Sequence, residues 1–317
     1  VVSASFDHGQ TFPQVSALIP PVHKNWGDRD FIAVAPDGSV YVTSDYGPER
    51  TSVTQICTAG GSCAFATGDL NVVIQKSTDG GTTWGPIIPV SPGFPASGGD
   101  SAPLLVESSG RIDLLYQGYQ ITNTTTYTMK PAHTYFTSSG DGGSTWSSPV
   151  LVGADHPELT MSLAEWWIDG SLGMDSAGNL YATWDTQGTN QDVGWLSFST
   201  DHGAHWSPLV RVTPDMDSAA HIVEVAGGGA GVAYVGWLTN SSPNGYSEYL
   251  RQYSITSGWL TSPIRVSGSV YGALPVWPGD TFGISTLPGN RVALTWGSGV
   301  SINGQRKSEI FAATVQF

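Results

Sequence analysis

Five polar residues stand at the head of a recurring hairpin pattern and carry the side chains with the most chemistry in this sequence. Asp30, Asp100, Asp169, His221 and Asp280 each open a run of strand, glycine turn and strand, the turn glycine following at 8, 10, 9, 10 and 9 residues. Four carboxylates and an imidazole gathered in one place raise one another's proton affinity. They then supply either a protonated and an ionised partner for acid–base work or a cation site, with calcium the candidate. A structural reading stands beside this one: acidic residues at strand starts hydrogen-bond the backbone of a neighbouring strand and need no ligand. Aromatic residues accompany the carboxylates in Trp26 ahead of Asp30, in Glu165-Trp166-Trp167-Ile168-Asp169, and in Tyr271 to Trp277 ahead of Asp280. Aromatic faces stack on the CH faces of pyranose rings while carboxylates hold hydroxyls, so the company suits sugars. Tryptophans that fill the space between sheets are the alternative.

The elements that must position these residues are short strands. Helical periodicity is nearly absent, and apolar or alternating runs bounded by Gly, Pro, Asp and Ser recur throughout, which predicts an all-β chain. A second repeat confirms the punctuation. Ser77-Thr-Asp79-Gly-Gly81-Thr-Thr-Trp84 returns as Ser139-Gly-Asp141-Gly-Gly143-Ser-Thr-Trp146, as Ser199-Thr-Asp201-His-Gly203-Ala-His-Trp206 and as Ser5-Phe-Asp7-His-Gly9-Gln-Thr-Phe12, with an eroded copy at Ser254 to Trp259. The Asp positions 7, 79, 141 and 201 are 72, 62 and 60 residues apart. Asp and Ser oxygens accept turn amides, Gly supplies positive φ and the aromatic tucks between sheets, so the string reads as a structural turn. Asp79, Asp141 and Asp201 are therefore not catalytic candidates, nor are His202 and His205 metal candidates.

Each unit reads strand, turn, strand, loop, strand, Asp-containing turn, strand: a four-stranded antiparallel blade. Five units predict a five-bladed β-propeller forming a single domain over 1–317, with six blades the rival count. The first box, Ser5 to Phe12, is expected to complete the last unit, so that pairing of the N- and C-terminal strands closes the ring. In such a ring the innermost strands start at one end of the channel, where the five leading residues converge.

The string Ser-x-Asp-x-Gly-x-Thr-Trp resembles the Asp-box, or bacterial neuraminidase repeat, and over nearly its whole length the chain is similar to the sialidase-like propeller superfamily. That resemblance implies the propeller fold and a carbohydrate-active protein. Sialidases of the family also carry a Phe-Arg-Ile-Pro motif, three arginines that clamp the sugar carboxylate, a Tyr/Glu nucleophile pair and an acid–base Asp. No Phe-Arg-Ile-Pro is present, Arg29 is the nearest early arginine, and Arg251, Arg265 and Arg291 do not assign a triad.

Composition narrows the rest. With 12 Lys+Arg against 26 Asp+Glu the formal charge is −14, which disfavours nucleic acid as a partner. No run of about 18 apolar residues predicts a membrane span, and Val1 to Ser5 do not read as a signal peptide. Cys57 and Cys63 flank a Gly-rich loop and are expected to form a small disulfide, the alternative being two free thiols. Low Lys, a pI near 4.6 and the sequons at Asn123 and Asn240 suit a secreted or cell-surface protein.

The expected function is glycoside hydrolysis at the channel mouth, where two flanking carboxylates act on a glycan or polysaccharide. Asp30 and Asp169 are the first pair, with Glu165 as alternate and Asp100 and Asp280 as further candidates. Arg29, His221, Trp26, Trp166, Trp167, Tyr271 and Trp277 would bind and orient substrate. A non-catalytic glycan-binding or structural propeller is the alternative. A polysaccharide lyase using His221 beside a cation is a third reading.

Overall fold

The computed structural model describes residues 1–19, 26–47, 55–57, 63–65, 71–90, 97–100, 102–123, 128–154, 170–187, 192–214, 219–242, 245–267, 282–303 and 305–317. Every regular element among them is a β-strand, and all pairings are antiparallel. The fold is a β-propeller of five blade sheets, divided between two compact units, one holding the described residues up to Leu151 and the other those from Val152 onward.

In the first unit, one blade runs Trp26–Val34, Val40–Gly47, Asn71–Ser77 and Ile88–Pro89. The next runs Leu104–Val106, Ile112–Asn123, Thr128–Ser139 and Val150–Leu151, with Ser97–Asp100 also paired to Ile112–Asn123. Their facing side chains make one core, including Tyr41, Ile74, Leu104, Ile112 and Leu114. In the second unit, the third blade is Ser171–Met174, Leu180–Gln187, Asp192–Ser199 and Val210–Arg211. The fourth is His221–Gly227, Val232–Ser242 and Gly245–Ser254, with Gly258–Trp259 and Ile264–Arg265 both on its third strand. The fifth is Phe282–Leu287, Arg291–Ile302 and Gln305–Gln316. Tyr181, Leu196, Val223 and Trp237 pack the third blade against the fourth, and Tyr234, Leu250, Leu294 and Trp296 pack the fourth against the fifth. Strand alternation sends one set of apolar side chains to each neighbouring blade, which is why these sequences read as near-continuous apolar runs.

The box turns explain how the third and fourth strands of a blade are joined. Ser77 Oγ donates to Asp79 Oδ1 at 2.8 Å and accepts from the Gly81 amide at 2.9 Å. Asp79 also accepts from the Thr83 amide at 2.8 Å and hydroxyl at 2.6 Å, and Trp84 Nε1 donates to the Gly81 carbonyl at 3.1 Å. The same bonds recur around Asp141, and around Asp7 without the indole. At Asp201 the His205 ring, 2.7 Å away, takes the threonine's place. Gly81, with φ of 89°, occupies the left-handed region that only glycine enters without cost. The threonine bonds hold Asp7, Asp79 and Asp141 at about 2 instead of the model-peptide value of 3.8. A depressed carboxylate contributes stability above its unfolded value and loses it as pH falls through the folded one. Asp141→Asn should therefore lower the urea midpoint at pH 6 and narrow the gap to wild type as pH approaches 2. An unchanged acid slope would contradict this role.

Two expectations about connectivity meet the structure here. Val2–Ala4 pairs with Gln14–Ser16 in its own two-stranded sheet, and the fifth blade is three-stranded among the described residues. The N-terminal box thus joins its own flanking strands, because the turn's internal bonds fold those two strands onto each other, and among the described residues no ladder links them to Gln305–Gln316. That small sheet rests on the first blade, where Gln14 Nε2 donates to the Thr82 carbonyl at 3.2 Å and Ser16 Oγ to the Gly81 carbonyl at 3.4 Å. Gln55–Cys57 and Cys63–Phe65 form a second small sheet with Cys57 directly opposite Cys63 in register. The cysteine side chains lie outside the described residues.

Candidate functional site

The second strand of each blade carries a polar or aromatic residue at a fixed place. Seven residues after the turn glycines Gly38, Gly110 and Gly178 stand Asp45, Gln117 and Asp185, and six after Gly231 stands Trp237. All four are buried, at 2%, 4%, 6% and 2% exposure. The register makes them equivalent, since each lies five residues beyond the position paired to the box serine: Val40 to Ser77, Ile112 to Ser139, Leu180 to Ser199 and Val232 to Ser254.

In the second unit this position is part of a polar cluster. Thr183 Oγ1 donates to the Val223 carbonyl at 2.7 Å, locking the second strand of the third blade to the innermost strand of the fourth. Asp185, two residues on, presents the same face. Asp192 begins the next strand, and its carbonyl accepts from the Ala220 amide at 3.1 Å. A register shift between His221 and Glu224 interrupts the fourth blade's innermost strand, with Ile222 at φ of 46°. A β-branched residue in the left-handed region is a true outlier, and a bulge of this kind redirects the adjoining side chain. His221 Nδ1 then sits 2.5 Å from Asp192 Oδ2. One ligand atom from each of Asp185, Asp192 and His221 lies within 4.8 Å of the others, and the cluster is largely buried.

His221 is the one expected site residue that the structure brings into this cluster. Asp185 and Asp192 are not among the residues the sequence marks as candidates, although the offset from the turn glycine distinguishes Asp185. In the first unit a bulge shifts the register between Asp28 and Phe31, with Arg29 at φ of 55°. Asp28, not Asp30, consequently stands opposite Asp45, and Asp30 is exposed. Asp100 stands opposite Gln117, and Trp26 opposite Gly47, by backbone register. Glu165, Trp166, Trp167, Asp169, Tyr271, Trp277 and Asp280 lie outside the described residues.

The arginines have other work. Arg251 is 7% exposed, donates from Nε to the Thr261 carbonyl at 3.1 Å and from its Nη1 to the Val212 carbonyl at 2.8 Å, and lies 4.1 Å from the Trp259 ring centre. Arg291 Nε donates to the Pro288 carbonyl at 3.1 Å. Neither is placed to clamp a carboxylate. A further carboxyl stands out on the fourth blade's third strand. Glu248 is 1% exposed, neither of its side-chain oxygens has a hydrogen-bond partner among the described residues, and burial pushes its pKa up to about 8.

No family model and no curated protein matches the chain. Solved structures do. A Dyadobacter fermentans protein of unknown function aligns at 17% identity and TM-score 0.59, over 87% of this chain and 76% of that one. A Hadza microbial sialidase aligns at 18% and 0.57, over 90% of this chain and 56% of that one. The fold is that of the sialidase-like propellers. A polysaccharide lyase, an ulvan lyase, aligns at 13% and 0.52, over 90% of this chain and 64% of that one. The chain thus spans less than two-thirds of either enzyme. At these identities the likeness fixes the fold, and activity has to come from the site.

Proposed function

We propose that the protein is a secreted carbohydrate-active enzyme, a glycoside hydrolase in which one propeller domain works at the end where the innermost strands begin. The observation that carries this reading is the convergence of Asp185, Asp192 and His221 at the head of the fourth blade's innermost strand. That is where the sequence places its leading polar residues and flanking aromatics. Buried polar groups on rigid strands offer fixed partners for sugar hydroxyls. For bond cleavage the carboxylates are those named from the sequence, Asp30 and Asp169 first, Glu165 as alternate, and Asp100 and Asp280 as further candidates. The neighbours in fold include a sialidase and a polysaccharide lyase, which supports a glycan as the ligand class.

A second reading, glycan binding without cleavage, draws on the absence of Phe-Arg-Ile-Pro and on the bonds of Arg251 and Arg291 to backbone carbonyls. A panel of sialosides, neutral glycosides and uronate-containing polysaccharides, scored for both binding and cleavage, separates the two. Cleavage that disappears in Asp169→Asn supports the enzyme. Binding without cleavage selects the second reading, and neither binding nor cleavage overturns both.

A further inference from the structure

The geometry points to a binding site for a divalent transition-metal ion formed by Asp185, Asp192 and His221, a role independent of whether glycans are cleaved. The three donors come from three strands, the second and third of the third blade and the innermost of the fourth, so each is held by a separate ladder. Two ligand atoms on one zinc ion, each about 2.0–2.1 Å from the metal, stand about 3–4 Å apart. The three atoms here lie within 4.8 Å of one another, so modest side-chain torsions close the set. Nor is the backbone free to disperse them. The Thr183 bond to the Val223 carbonyl fixes one pair of strands, and the Ala220 amide on the Asp192 carbonyl fixes the other.

Donor chemistry selects the ion. Calcium takes six to eight oxygen ligands, whereas an imidazole nitrogen beside two carboxylates suits zinc or manganese with positions left for water. The imidazole therefore moves the expectation from calcium to this class. His221 Nδ1 and Asp192 Oδ2 already stand 2.5 Å apart. On binding, the cation takes lone pairs of the imidazole nitrogen and of the carboxylate oxygens.

The test uses the whole chain, stripped with EDTA and titrated separately with ZnCl2, CoCl2 and CaCl2 at pH 7.5. Zinc is expected to bind with a stoichiometry of one by calorimetry and to raise the melting temperature further with each increase in concentration. Cobalt should give a visible absorption band that zinc abolishes. Asp192→Asn and His221→Gln should each weaken zinc binding at least tenfold. Absence of saturable zinc binding, undiminished binding in both variants, or calcium binding as tightly as zinc would overturn the assignment. Should His221→Gln fail to fold, Asp185→Asn and the cobalt spectrum of the unmodified chain decide the matter, and a missing band refutes it.

Discussion

Glu248→Gln is expected to leave stability unchanged near pH 4 and to raise it at pH 9 by an amount on the order of 4 kcal/mol. The carboxyl is buried on the third strand of the fourth blade, with no hydrogen-bond partner among the described residues, and its pKa stands at about 8 against 4.5 for the free side chain. A carboxyl whose folded pKa is raised is neutral in both states below 4.5, where it contributes nothing unfavourable. As pH rises toward 8 the unfolded chain ionises first, and the folded state loses stability across that window. Glutamine keeps the shape and cannot ionise, so the difference between the two proteins should open between pH 4.5 and 8 and then level off. Denaturant unfolding at a series of pH values measures it. Asp113 on the second blade, fully buried beside Arg111 and Glu107, shifts in the same direction to about 8. The wild-type slope therefore has two sources, and the single variant isolates one. Parallel pH curves would show that Glu248 ionises freely in the folded protein.

Arg251→Ala is expected to cost on the order of 3 kcal/mol, because it strips the carbonyls of Thr261 and Val212 of their donor and uncovers the Trp259 ring. The Val212 carbonyl belongs to the third blade and Arg251 to the fourth, so the guanidinium ties neighbouring blades together. Arg251→Lys should recover little of the loss, since an ammonium cannot reproduce the planar fork that reaches two carbonyls while stacking on an indole. Thermal and urea unfolding of the two variants would settle this. A loss below about 1 kcal/mol for the alanine variant would show that water replaces the guanidinium.

What the sequence made legible follows from how local each interaction is. The box turns are read directly, because Ser77, Asp79, Gly81, Thr83 and Trp84 satisfy one another within eight residues. Blade count follows from the same repetition. His221 was legible as the head of an inner strand, and Asp185 was legible in principle from its constant distance to a turn glycine. Asp192 was not, because its partner is His221, 29 residues on in the next blade. The bulge at Arg29 was hidden as well: one extra residue moves the place opposite Asp45 from Arg29 to Asp28, and a single-residue slip exchanges the faces of a strand. Glu248 shows the same limit from another side. Its flanking strand reads as polar and aromatic, and only the packed sheet reveals that the carboxylate is cut off from water. The pairing of Val2–Ala4 with Gln14–Ser16 was a choice between a local and a distant partner, which repeats alone do not decide.

The measurement that bears most directly on the working end of the propeller is hydrogen–deuterium exchange with and without the glycan that binds best in the panel. Protection at 183–187, 192–196 and 219–224, with the box turns at 139–146 and 199–206 unchanged, is the result predicted. Protection confined to the box turns, or no glycan bound at all, would contradict the account.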